Sequence, residues 1–267
     1  MKQIIIIAAV IFSSCKSTEK LSVVHNGLPK NVSLNGKLFS SLYMQRSAEY
    51  RALCLQAYNI AHWRVDNYLP KTNLPKAIIT DIDETILDNS PYAVHQAYLG
   101  KEYEDASWFR WTDMSAADTM PGAGALLKYL ATKNVEVFYV TNRAPRETGS
   151  TLKNLQRLGL PNADEAHFFP RTEGSSKEDR RLNIMKTHEV ILLMGDNLAD
   201  FSKLFDHKDE ATRKANTDAS VAEFGSRFIV FPNPNYGDWE SSLYKFNYKL
   251  TQAQKDSVIK ANLKTYQ

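Results

Sequence analysis

Short apolar runs alternate with amphipathic stretches along most of this chain, and that alternation sets the expected fold. Runs rich in Ile, Val, Leu and Phe stand at residues 77–80, 135–140, 167–169, 190–194 and 228–231. They are too short for helices, and the run at 190–194 is apolar throughout, as in a strand covered on both faces. Between them, apolar residues recur at three- and four-residue spacing. Tyr50, Leu53, Ala57 and Ile60 mark one long helix over about 40–68, stopped by Pro70. Leu126, Leu127 and Leu130 follow Pro121-Gly122, and Leu152, Leu155 and Leu158 precede Gly159. Ser175 and Glu178 have the spacing of a capping box opening another helix. Residues 206–220 read as a charged, irregular surface excursion, and two helical patterns close the chain. Strands alternating with helices predict an α/β fold with a parallel sheet flanked by helices.

One segment breaks the rhythm. Residues 87–119 carry Tyr92, Tyr98, Tyr103, Trp108, Phe109 and Trp111 without strand alternation. They predict a small, mainly helical cap inserted after the first strand.

The ends of the strands carry the candidate chemistry. Asp81 and Asp83 follow the first run, Thr141-Asn142-Arg143 the second, and Asp196 and Asp200 the fourth. Parallel sheets bind ligands at the carboxyl ends of their strands. Carboxylates gathered there are costly without a cation, and oxygen donors alone suit a hard ion such as Mg²⁺ better than zinc. Such an ion commonly completes its shell with phosphate oxygens. Thr141, Asn142, Arg143 and Lys177 are the donors a phosphoryl group would then require. DIDET is not a calcium loop of the EF-hand type, because Ile86 stands where that loop needs glycine.

Composition excludes more than it proposes. A formal charge of +3 on 267 residues gives no argument for a nucleic-acid polymer or a polybasic membrane surface. Lys2 precedes an apolar run at 4–12 that is too short to span a bilayer, and Phe12-Ser13-Ser14-Cys15 resembles a bacterial lipobox. The expected organisation is a lipoprotein signal peptide over 1–14, lipidation at Cys15, a tether over 15–37 and one domain over 38–267. The expected location is the bacterial envelope, anchored by lipid to the outer membrane and facing the periplasm or the cell surface. Cys54, the only other cysteine, reads as a small core residue. The six histidines lack metal-ligand spacing, and Glu84 reads as structural.

DIDET after one strand, VTN after the next, a lysine at a helix start and GDNLADF after a later strand resemble the haloacid-dehalogenase (HAD) superfamily. With SAEYRALCLQAYN and NPNYGDWE, the sequence over about 40–250 looks like the class C bacterial acid phosphatases, lipid-anchored enzymes acting on nucleoside 5′-monophosphates and nicotinamide mononucleotide. The resemblance implies a HAD-like Rossmannoid core and a Mg²⁺-dependent phosphomonoesterase and 5′-nucleotidase. It makes Asp81 the nucleophile of an aspartyl-phosphate and Asp83 the general acid and base. Mg²⁺ would sit on the Asp81 and Asp196 side chains and the Asp83 backbone carbonyl, with Asp200 in support. Thr141, Asn142 and Lys177 would hold the phosphoryl group. Trp108 and Tyr236, with Tyr103 beside them, would stack on the substrate's ring. Ala199 stands where the family often has an acid, which implies a retuned metal environment. The resemblance also leaves room for a homodimer. Two other readings stay open: transfer of the phosphoryl group to an alcohol, and a non-catalytic surface lipoprotein that binds nucleotides.

Overall fold

In the computed structural model residues 31–266 are described; the leader, Cys15 and most of the tether lie outside the described residues. Helix α1 (Val32–Arg46) begins within the stretch read as tether. Its start is fixed by Asn31, whose side chain accepts the Leu34 N–H at 2.8 Å. The single long helix expected over 40–68 is two. Ser47 is extended, ends α1 and caps α2 (Ala48–Asp66) by accepting the Tyr50 N–H at 3.0 Å. Cys54 is buried in α2, as a core residue should be.

Strand β1 (Lys76–Thr80) leads into the cap, formed by α3 (Ser90–Tyr98) and α4 (Asp105–Asp113). Leu87 bridges to Thr119 across the base of this excursion. There follow α5 (Ala123–Thr132), β2 (Glu136–Val140), α6 (Thr148–Arg157), β3 (Phe168–Phe169), α7 (Glu178–Met185) and β4 (Glu189–Gly195). The chain closes with α8 (Glu210–Ala219), β5 (Phe228–Val230), α9 (Asp238–Leu243) and α10 (Gln252–Asn262). Helix α8 replaces the irregular excursion expected over 206–220. Asp209 caps it by accepting the Thr212 N–H at 2.9 Å, and the guanidinium of its buried Arg213 turns inward onto the Phe205 carbonyl.

The five strands form one parallel sheet in the order β3-β2-β1-β4-β5. Side chains of a strand alternate between faces. Ile78, Val137, Tyr139, Leu192 and Met194 therefore pack into the core shared with α2, α5 and α6. Ala77, Ile79, Phe138, Val140 and Leu193 point the other way, onto Ile184 of α7 and Phe201. Truncating a fully buried residue such as Ile78 to alanine costs about 2–5 kcal/mol. Successive strands run outward from β1 in one direction and then, from β4, in the other. The crevice opens where that order reverses, beyond the carboxyl ends of β1 and β4.

The two ends of the described chain meet beside the cap. Asp256 of α10 accepts the backbone N–H groups of Val32 and Ser33 at 3.1 and 3.2 Å. Glu102, in the cap, accepts from Ser33 and Gln252 at 2.8 Å each and pairs with Lys37 at 3.1 Å and Lys255 at 3.5 Å.

Candidate active site

Four side chains meet where β1 and β4 end. The Asp81 N–H continues the sheet by donating to the Met194 carbonyl at 2.9 Å, which aims its side chain into the crevice beside Asp196. Carboxylate oxygens of Asp81, Asp196 and Asp200 lie within 4.8 Å of one another. Lys177, the residue before α7 and 5% exposed, reaches them with its ammonium, bonding Asp81 Oδ1 and lying 2.6 Å from Asp200 Oδ1. Asp200 gets there because the residue before Asp196 is Gly195. A Cβ at that glycine would lie 2.3 Å from Asp200 Oδ2.

With all three ionised, three carboxylates and one ammonium leave an excess of two negative charges at the floor of a crevice. Burial pushes Asp81 up to about 7, with the Asp200 and Asp83 charges adding to the rise and Lys177 opposing it. Burial raises Asp196 as well, reinforced by Asp200 and Asp81 and opposed by a 2.7 Å hydrogen bond from Asn233 Nδ2. A donor set made only of oxygens, with this excess of negative charge, fits a divalent hard cation held by Asp81, Asp196 and Asp200.

Asp83 stands apart from that trio. Its Oδ1 accepts from Arg143 Nη2 at 2.7 Å and Nε at 3.1 Å, and from Asn89 Nδ2 at 2.8 Å. Two carboxylates two residues apart are thus separated by their partners, one turned to the trio and one to a buried guanidinium. Asn89 accepts in turn from Trp111 Nε1 at 2.8 Å. The cap therefore sets the orientation of the Asp83 carboxylate.

The second strand end is clamped by α7. The Thr141 side chain, fully buried, accepts the Arg143 N–H at 3.1 Å. Asn142 donates to the Ser175 carbonyl at 2.9 Å and accepts from Arg180 Nη2 at 2.8 Å. Arg180 also donates to the Thr141 carbonyl at 2.6 Å, and Arg181 to the Ala199 and Asp200 carbonyls at 2.8 Å each. The capping box expected at Ser175 and Glu178 does not form. Ser175 Oγ bonds His207 at 2.9 Å, and the Glu178 carboxylate takes the Arg181 guanidinium, so Lys177 occupies the cap position with its side chain free to enter the site.

A cavity of about 390 Å³ opens from Asp81, Asp83, Lys177, Asp196 and Asp200. Asn142, Arg143, Trp108, Tyr103 and Tyr236 line it, whereas Thr141 lies behind its wall. Trp108 is buried edge-on against Tyr92, with the Arg143 guanidinium 5.6 Å from its ring centre. Tyr236 and Tyr103 are the more open rings. Sequence reasoning passed over Asn89, Arg180, Arg181 and Asn233. A signal existed for the arginines: two adjacent basic residues three and four positions after Lys177 share the helix face that carries it.

The family model for HAD superfamily, subfamily IIIB (Acid phosphatase) matches residues 8–239. Among curated proteins, Acid phosphatase 1 of Solanum lycopersicum is 28% identical over 82 residues, 31% of this chain and 32% of that protein. Stem 31 kDa glycoprotein of Glycine max is 23% identical over 164 residues, 59% of this chain and 58% of that protein. The chain thus spans about a third and somewhat over half the length of these two relatives. Among solved structures, the class C acid phosphatase from Bacillus anthracis superposes with a TM-score of 0.84 at 38% identity, covering 88% of this chain and 100% of that one. A second structure of that enzyme, with tungstate bound, gives 0.84 at 37% identity, over 88% and 99%.

Proposed function

The chain belongs to the acid phosphatases of HAD subfamily IIIB, and from that premise we propose that it hydrolyses phosphomonoesters of nucleoside 5′-monophosphate type, nicotinamide mononucleotide included. The observation that carries this reading is the inequality of the two aspartates at the end of β1. Asp81 faces Lys177 and two further carboxylates, while Asp83 faces Arg143 and Asn89 at the cavity wall.

Asp81, Asp196 and Asp200 would hold Mg²⁺, joined by the Asp83 backbone carbonyl; the ion would neutralise charge on the transferring phosphoryl group. Asp81 is then the nucleophile. Its oxygen forms the new bond to phosphorus as the ester oxygen leaves, giving an aspartyl-phosphate. Lys177 sits on the same carboxylate and on Asp200, so its charge is placed to offset that of the attacked phosphate. Asp83 gives its proton to the departing alcohol and then takes one from the water that opens the acyl phosphate. The Asn142 side chain and the backbone beside Thr141, held by Arg180, supply donors for the remaining oxygens. A tungstate-bound structure of the Bacillus anthracis relative supports an oxyanion site of this kind. The aromatic wall of Trp108, Tyr103 and Tyr236 suits a ring on the leaving group, since stacking contributes about 1–3 kcal/mol for any base.

Phosphate release from several 5′-nucleotides and from nicotinamide mononucleotide tests the reading. The wild type is expected to release phosphate in Mg²⁺ and stop in EDTA, and Asp81→Asn is expected to be inactive in both. Retention of nucleotide without turnover would instead favour the binding lipoprotein. We further propose that Cys15 carries the lipid anchor; Cys15→Ser should then lose palmitate labelling and leave the membrane fraction.

A further inference from the structure

Glu84 follows the general acid directly and should have little reason to be where it is. It has a φ of 54°, in the left-handed region that side-chain-bearing residues enter at a cost of about 1 kcal/mol or more. It is also 1% exposed. A long acidic side chain held in that conformation and removed from water needs compensating partners, and it has two. One carboxylate oxygen accepts the Asn89 N–H at 2.8 Å, and the other accepts the hydroxyl of Tyr236.

Tyr236 belongs to the loop after β5. Asn233 organises that loop by accepting the Asn235 and Tyr236 N–H groups at 2.9 and 3.3 Å while donating to Asp196. The indole N–H of Trp239 closes it from the other side, 3.1 Å from the Asn233 and Tyr236 carbonyls. The backbone of Tyr236 is therefore fixed, and its hydroxyl is pinned at the far end by Glu84. Tyr236, 38% exposed as a residue, lines the cavity between these two points. Held at both ends, the side chain has its long axis fixed along the cavity wall.

We propose that Glu84 is a positioning residue for the leaving group: through the Tyr236 hydroxyl it fixes where the tyrosine ring stands, and so where a planar heteroaromatic ring of the substrate can stack. The inference rests on the phosphatase reading above and goes beyond it. Glu84 is adjacent to Asp83, and Asn89 contacts both carboxylates, so ring position and proton donor are set from one turn. Selectivity for ring-bearing phosphomonoesters over ringless ones should then depend on a carboxylate that touches no substrate atom. Fixing the side chain before binding removes an ordering cost that a tyrosine free to swing about its Cα–Cβ bond would impose.

The test compares adenosine 5′-monophosphate with glycerol 2-phosphate, each at saturating Mg²⁺, in the wild type, Tyr236→Phe, Glu84→Gln and the double variant. Tyr236→Phe keeps the ring and removes only its anchor, so it stands as the test should Glu84→Gln fold poorly. Each single variant is expected to lower the ratio of kcat/KM values, nucleotide over glycerol phosphate, by about 10-fold, mainly through KM for the nucleotide. The double variant should fall no further, because both changes break one contact. Equal losses on the two substrates, or a double variant showing the product of the single effects, overturn the inference alone. Absence of phosphate release from both substrates in the wild type overturns the phosphatase reading and this inference with it.

Discussion

Strand β4 begins with one acid and is followed by another, and the two have opposite surroundings. Glu189, its first residue, accepts four hydrogen bonds: from the Lys71 N–H at 2.6 Å, the Tyr68 hydroxyl at 2.7 Å, and the Thr72 hydroxyl and N–H at 2.8 and 3.1 Å. Led by the Lys71 N–H, these hold its carboxyl down at about 2. Asp196, one residue past the other end, is raised by burial and by its neighbours Asp200 and Asp81. The same strand thus carries a satisfied charge at its amino end and a frustrated one at its carboxyl end. Satisfied acids fasten a loop; frustrated ones await a ligand.

This contrast can be broken from either end. The largest effect is expected from Asp196→Asn, which keeps an acceptor for Asn233 but removes a charge from the trio. Phosphate release should fall by about 10³-fold. The melting temperature in EDTA should nevertheless rise by ~2–4 °C, because an uncompensated buried charge is gone. A fall in melting temperature would mean that the trio stabilises the fold unaided. Glu189→Gln should do the reverse. Activity stays within about twofold of wild type, and the melting temperature drops by ~3–5 °C as two backbone donors lose their charged acceptor.

The smallest effect is in pH. Asp81 titrates near 7 in the folded chain against 3.8 ordinarily, and Glu84 near 8 against 4.5, Glu84 being pushed up by burial and by the charge of Asp83. Acids raised on folding hold their protons longer in the folded state, so without metal stability should fall as the pH rises from about 4 to 8. Glu189 acts in the other direction, its contribution present above about 4.5 and lost as the pH falls toward 2. Thermal melts in EDTA should accordingly show a maximum near pH 4, above the value at pH 8. Added Mg²⁺ should flatten the slope by favouring the charged Asp81; a slope indifferent to Mg²⁺ would count against the trio as its site.

Both the sheet and the acids at its edge could be read from sequence for one reason. Buried parallel strands need unbroken apolar runs, and the chemistry at their ends needs particular residue types. Asp81, Asp83, Asp196 and Lys177 were legible as residues the strand ends would gather, because charged side chains at the ends of buried strands stand out from the apolar pattern. Features resting on local hydrogen-bond competition were not. Nothing in the apolar spacing around Ser47 shows that its hydroxyl will break one helix into two. Arg213 read as a wet surface residue because its charge, not its buried stem and inward-turned guanidinium, dominates the pattern. Arg180 and Arg181 offered only their spacing from Lys177 as a hint, since the carbonyl groups that accept from them leave no mark in the sequence. The Tyr236 hydroxyl that Glu84 accepts stands 152 positions further along the chain, beyond the reach of any local pattern.

Asp256 and Glu102 draw the first and last described helices to the cap. The described chain is accordingly close to a ring. Its order of segments is one of several that would thread the same sheet, and a short linker joining the helices would let new termini be opened at an exposed turn such as that near Gly174. What such a circular permutant must keep is the fastening at Glu102, not the place where synthesis starts.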